Sequence, residues 1–225
     1  MKSIIEILIP AVLTLSLTSS CGLDNYDAPQ GELRGKITYK GEPLGLKGTG
    51  EAVQLQLYQD GYALKGSIPV YVGQEGEFRA LLFDGTYKLV TRDHNGPWVN
   101  SRDTITFRVN GGATVEVPVT PFFTLSDTHI TLNGTTLNGT VRVNRVVPNA
   151  RIDYLTLVIS KTSFVDETSN IARVDLRDID EGTHTLKLDL KDNSDFSAAR
   201  KLYARIGVRA LGADQCLYSP VISIR

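Results

Sequence analysis

The chain has 225 residues, with 24 Lys and Arg against 25 Asp and Glu and a formal net charge of −1. A near-neutral chain has no general electrostatic footing for nucleic acid, and a hydrophobic content of 41% is enough to build packed cores. The length suits one large or two ordinary domains.

The first twenty residues open with Met1 and Lys2, run apolar from Ile4 to Leu17, and lead into Cys21 and the polar stretch Gly22 to Pro29. That is the layout of a secretory signal peptide. Spanning a bilayer takes about 20 mostly apolar residues, and here Glu6 and Pro10 interrupt the run. The arrangement resembles a bacterial lipoprotein signal, in which Cys21 becomes the lipidated first residue of the mature protein. The preceding Leu17-Thr18-Ser19-Ser20 matches the usual box only in part. An ordinary secreted protein cut near Ser20, or an uncleaved anchor, is the alternative. On the lipoprotein reading, residues 1–20 are a signal peptide, 21–31 a lipidated cysteine and tether, and the membrane is the first partner. Each buried acyl CH₂ then contributes about 0.8 kcal/mol to anchoring.

Beyond the tether, apolar and polar residues alternate, and no helical period dominates. Residues 32–120 predict a first module of about seven short strands. Leu33 to Tyr39 alternates and ends at the turn signal Lys40-Gly41-Glu42-Pro43. Val53 to Tyr58 has apolar residues at odd positions and meets Asp60-Gly61, a tight-turn pair. Strands follow around Ile68, Val70 and Val72, then at Phe78–Phe83 and Tyr87–Val90, and lastly around Phe107 and Val117. Residues 121–225 predict a second module of seven or eight strands. Asn133-Gly134 and Asn138-Gly139 both read as turns. Tyr154 to Ile159 reads as a buried strand, His184 to Leu190 alternates, and Asp195 to Arg200 predicts one helical turn. Leu202 to Ala210 predicts a strand with small or apolar residues inward and Tyr203, Arg205 and Arg209 outward. The expected fold class is all-β, two tandem sandwiches.

The phrase Gly76-Glu77-Phe78 … Gly85-Thr86-Tyr87-Lys88-Leu89, with the opening Gly35 to Leu44, resembles the transthyretin-like, carboxypeptidase-regulatory-like module. The second module is similar in architecture to an immunoglobulin-like sandwich, without its Cys…Trp…Cys core. The whole chain, through Cys21 to Pro29 and Phe83 to Leu89, resembles a family of Bacteroidetes lipoproteins with no assigned biochemical function. That resemblance implies a surface-exposed outer-membrane lipoprotein that binds polysaccharide or oligosaccharide, or supports outer-membrane glycan-uptake proteins. The rival expectation is a structural, adhesin or fimbrial-type protein, or a spacer for a partner.

The residues offer little catalytic chemistry. His94, His129 and His184 lack metal-ligand spacing, and no hydrolase, P-loop or dinucleotide fingerprint is present. His184 reads as structural and His129 as a solvated loop residue. The acidic pairs Asp178 with Asp180, and Asp166 with Glu167, read as surface turns. Cys216 reads as a buried, inert thiol. The chain is therefore expected to be non-enzymatic and to need no cofactor or metal. One segment stands out: Thr91 to Asp103 holds the single Trp amid Arg, Asp, His and Asn. Trp98 could offer sugar C–H faces a platform, and Arg92, Asp93, His94 and Asn95 could bond hydroxyls. Against that, Trp98 could plug the end of the sandwich, or Asp93, Asn95 and Asp103 could hold calcium.

Overall fold

A computed structural model describes residues 27–61 and 66–225. Cys21 and the signal segment lie outside the described residues.

The first module is a sandwich of two four-stranded sheets. One sheet is centred on β1 (Gly31–Tyr39), which pairs antiparallel with β2 (Glu42–Pro43) and β5 (Glu77–Leu82), and parallel with β8 (Gly112–Pro118). The other runs in the order β4 (Ile68–Tyr71), β3 (Gln54–Gln59), β6 (Gly85–Thr91), β7 (Ile105–Val109). The alternation in the sequence sets the faces, because successive strand side chains point to opposite sides. Leu33, Ile37 and Phe78 enter the core from one sheet, and Leu55, Leu57 and Leu89 from the other. Lys40 and Gly41 both have positive φ and close the β1–β2 hairpin as a two-residue turn.

The second module places β13 (Gly182–Asp189), β10 (Thr136–Arg145) and β9 (Phe123–Asn133) in one sheet. The facing sheet holds β12 (Ala172–Leu176), β11 (Ile152–Ser160) and β14 (Tyr203–Ala210), with β15 (Leu217–Tyr218) and β16 (Ile222–Ser223) on the far edge of β14. One short helix, α1 (Ser194–Ala198), is capped by the Asn193 side chain and buries Phe196. The fold is thus all-β in two tandem sandwiches, and no helix among the described residues is long and apolar enough to cross a membrane.

One local expectation fails for reasons of packing. Asn133-Gly134 turns the chain as expected, but Asn138-Gly139 lies inside β10. A Cβ on Gly139 would stand 3.0 Å from Ile206 and 3.2 Å from Leu157 of the facing sheet. The glycine is there for close sheet packing, and tertiary contact outweighs the turn signal. The outward face of β14 is partly covered, with Tyr203 and Arg209 half-buried. Arg205 is 1% exposed, because the first module lies over that face.

Candidate functional site at the module junction

The modules meet at a junction built from the loop after β2 and the outer side of β14 and β15. Gly45 forms an antiparallel bridge with Tyr218, whose amide donates to the Gly45 carbonyl at 2.9 Å. Leu46 donates its amide to Gln74 and receives a 2.6 Å bond from Arg205 Nη2 at its own carbonyl. Arg205 also reaches Gln74 Oε1 at 3.4 Å, and its guanidinium carbon lies 3.8 Å from the Tyr218 ring centroid. Burial pulls the guanidinium down to about 10, against the pull of nearby groups.

A second set of contacts joins residues 47–49 to the loop between β11 and β12. Thr49 donates to Asp166 Oδ2 at 2.6 Å and Lys47 to Thr168 Oγ1 at 2.7 Å. Asp166 also accepts the Thr168 and Ser169 amides at 2.8 Å each. Behind it, Glu167 Oε2 gathers Tyr154 and Tyr218 hydroxyls at 3.1 Å each and the Cys216 thiol at 3.0 Å. Burial pushes the Cys216 thiol and both phenols up, and the Glu167 charge reinforces the shift. These groups are therefore neutral hydrogen-bond donors, and their chemistry is structural. The acidic pair Asp166 and Glu167, expected as a surface turn, is instead part of the junction.

Beside this junction lies a cleft of ≈ 870 Å³. Its apolar lining includes Leu44, Leu125 and Leu217, and the buried Tyr218 lines it too. Tyr39, at the end of β1, is half-buried on its wall, with Lys40 Nζ 5.2 Å from its ring centroid. Exposed Lys36, Glu42, Glu75 and Glu77 stand at the rim. An aromatic wall, an apolar lining and a rim of convergent polar groups make a ligand-sized site between modules, where such sites tend to occur.

The sequence-predicted site residues are not assembled into one binding surface. Trp98 is 3% exposed and bridges Pro121 at the base of the module boundary. Its ring presents no face to solvent, which corrects its reading as a sugar platform. Asn95 is committed to backbone: Oδ1 accepts the Gln54 amide at 2.6 Å and Nδ2 donates to Ala52 O at 2.7 Å. His94 is exposed with φ 51°, held through its amide by Asn100. Arg92 and Asp93 do line a shallow hollow of ≈ 440 Å³ with Ser101 and Arg102, and Arg92 bonds Gln54 Oε1 at 2.8 Å. Asp103 accepts the Ser101 hydroxyl at 2.6 Å. Among the described residues no cluster of three His, Cys, Asp or Glu could hold a metal ion.

Other readings find their places. His184 is half-buried with Nε2 2.8 Å from Asp180 O. His129 is exposed on β9, a strand rather than a loop. Asp180 pairs with Arg145. Cys216 is buried. Tyr203 is half-buried, and Tyr218 is 2% exposed. Sequence reasoning missed the cleft. The one available signal was Arg205 in an otherwise well-patterned strand, since a lone guanidinium on a covered face must have a partner.

Comparison with known proteins places these features in a lineage. Residues 31–120 match the family model described as "Protein of unknown function (DUF3823) N-terminal domain", and residues 123–223 match the DUF3823 C-terminal domain of unknown function. A crystal structure of a DUF3823 family protein from Parabacteroides merdae is 48% identical, with a TM-score of 0.85 over 88% of this chain and 100% of that one. A DUF3823 family protein from Bacteroides ovatus is 34% identical, with a TM-score of 0.78 over 86% of this chain and 98% of that one. A candidate carbohydrate-binding protein from Bacteroides uniformis shares the fold at 20% identity, with a TM-score of 0.73 over 88% of this chain and 99% of that one. No curated protein matches the chain.

Proposed function

The chain belongs to the DUF3823 family, and from that premise we propose that it is a non-catalytic, lipid-anchored surface protein of the outer membrane that binds carbohydrate in the cleft between its modules. The cleft is the observation that carries this reading. Sugars present apolar C–H faces and a ring of hydroxyls, so they need an aromatic or apolar surface flanked by planar and charged hydrogen-bonding groups. Tyr39 and the leucine lining supply the first, and Lys36, Glu75 and Glu77 supply the second. The fold-level neighbour described as a candidate carbohydrate binder points the same way.

Topology supports an outward-facing site. β1 begins at Gly31, where the tether would enter, and ends eight residues later at Tyr39 on the cleft. At about 3.3 Å per residue, that strand sets the cleft roughly 26 Å from the tether. Anchored at Cys21, the protein would hold its cleft away from the membrane, in reach of glycan or of an uptake partner. The bonded junction also suits a rigid spacer, the second reading.

A glycan array with the full chain tests the proposal. We expect retention of an oligosaccharide by the wild type and its loss in Tyr39→Ala, with no glycosidic product released on incubation. Failure to retain any glycan favours the spacer. Full retention by Tyr39→Ala moves the site out of the cleft, with the Arg92 and Asp93 hollow next to be mutated.

A further inference from the structure

Leu81 is the most exposed large hydrophobic side chain among the described residues, at 65%, and Phe83 is 40% exposed. Between them Leu82 turns into the core; Leu81 is on the outer face of β5, and Phe83 follows the last residue of that strand. Leu81 stands opposite Glu32 of β1. Glu32 in turn holds Arg34 at 2.6 Å and Arg79 at 2.7 Å, and both guanidiniums are mostly in solvent. Glu32 thus bonds two guanidiniums beside Leu81, while Asp27 and Asp84 stand beside Phe83, so the apolar pair is ringed by charges of both signs.

This face lies where the chain enters the fold. Phe83 borders a hollow of ≈ 460 Å³ together with Asp27, Ala28, Gln30 and Gly31. Only residues 22–26 separate Asp27 from Cys21. A chain reaches at most 3.3–3.6 Å per residue, so Cys21 stays within about 20 Å of Asp27. A lipidated Cys21 would hold the Phe83 end of the first module near the bilayer.

We propose that Leu81 and Phe83, flanked by Arg34 and Arg79, form a face that docks on the lipid headgroup region and orients the anchored protein. The inference rests on acylation of Cys21 as proposed above. Amphipathic surfaces settle at the headgroup boundary with apolar side chains inserted and basic ones among anionic lipid. The anchor makes the contact intramolecular, so a small apolar pair suffices at the high effective concentration of a short tether. Leu81 lies toward the start of β1, opposite Glu32, and the cleft lies toward its end.

The test uses the full chain acylated at Cys21 in phosphatidylethanolamine–phosphatidylglycerol vesicles. A solvatochromic label is placed at Leu81→Cys, at Phe83→Cys, or at Leu211→Cys in the second module. Docking predicts a blue shift and quenching by lipid-borne nitroxide at 81 and 83, and neither at 211. The Leu81→Ser, Phe83→Ser double variant should still float with the vesicles but lose quenching at a label on Arg34→Cys. Protein that floats while labels at 81 and 83 stay aqueous overturns the docking face and leaves the anchor intact. A blue shift without vesicles marks a second copy as the occupant and also overturns it. Wild type that fails to float, like Cys21→Ser, removes the anchor and the docking face together.

Discussion

Arg205 of the second module donates from Nη2 to the carbonyl of Leu46 in the first, at 2.6 Å, in a position where it is 1% exposed. A buried cation with no carboxylate in bonding range is costly, and burial accordingly lowers its proton affinity. The fold keeps it because the guanidinium satisfies a buried carbonyl and sits over the Tyr218 ring. Removing it in Arg205→Ala leaves the Leu46 carbonyl without that donor, a loss of about 1–3 kcal/mol, or a fall in Tm of roughly 2–12 °C for a chain of this size. Arg205→Lys should fall between, since an ammonium keeps charge but not the planar fork or the stack. Differential scanning calorimetry checks this, and an unchanged Tm in Arg205→Ala would remove Arg205 as the pin between modules.

Asp166 gives the junction an acid sensitivity. Burial pushes its carboxyl up, but the Thr49 hydroxyl, the Ser169 and Thr168 amides and Lys47 outweigh that and hold it below the ordinary carboxylate range. A depressed folded pKa means the stabilisation is fully present above the unfolded value of about 3.9 and is lost as pH falls through the folded value. Urea unfolding should therefore show the wild type losing stability below about pH 4. In Asp166→Asn part of that loss is already present at neutral pH, and the remaining acid slope is shallower. Parallel pH curves for the two proteins would exclude the mechanism.

What the sequence disclosed follows from which forces are local. Alternation at Val53 to Tyr58 and His184 to Leu190 marks strands because one face of each is buried, and β3 and β13 lie there. The turn at Lys40-Gly41 was legible because its backbone conformation is set by two residues. Gly139 was misread because its role is set by Ile206 and Leu157, far away in the chain. Trp98 was singled out as a lone aromatic among polar neighbours, yet its surroundings are fixed by Pro121 and the boundary strand, which local composition does not encode. The cleft was invisible for the same reason: Tyr39, Glu75 and Tyr218 come from three separate segments and meet only when the modules dock.

Gly45 should be intolerant of any side chain. A Cβ there would overlap the Tyr218 carbonyl oxygen, a backbone atom that cannot swing aside. Gly45→Ala must therefore part the bridge and shift the cleft wall. The expected outcome is a destabilisation of about 1–3 kcal/mol, together with weaker carbohydrate retention. Protease sensitivity near residues 45–49 would report the opened junction. Wild-type stability in the variant would mean the bridge yields at no cost.

Cys216 should be silent while the protein is folded. Its thiol is buried, and burial together with the Glu167 charge raises its pKa, so thiolate does not form near neutrality. Iodoacetamide should fail to label it in native protein and label it readily in urea. Because the raised group is neutral in both states across the ordinary pH range, stability should show no pH dependence from it below its unfolded pKa of about 8.5, and a loss above that value. Rapid native labelling would place the thiol in solvent and contradict the packing around Tyr154 and Tyr218.

Trp98 separates a packing role from a binding one. It is almost wholly buried and pairs with Pro121 where the first module hands the chain to the second. Trp98→Ala empties a large volume at that point and should cost about 3–5 kcal/mol. Trp98→Phe refills most of it and should recover much of the stability. If the ring only packs, the Phe variant retains carbohydrate as the wild type does once matched for folded fraction. Loss of retention in a fully folded Trp98→Phe would instead show that the indole reaches the ligand, and would return the binding site to the loop of Arg92 and Asp93.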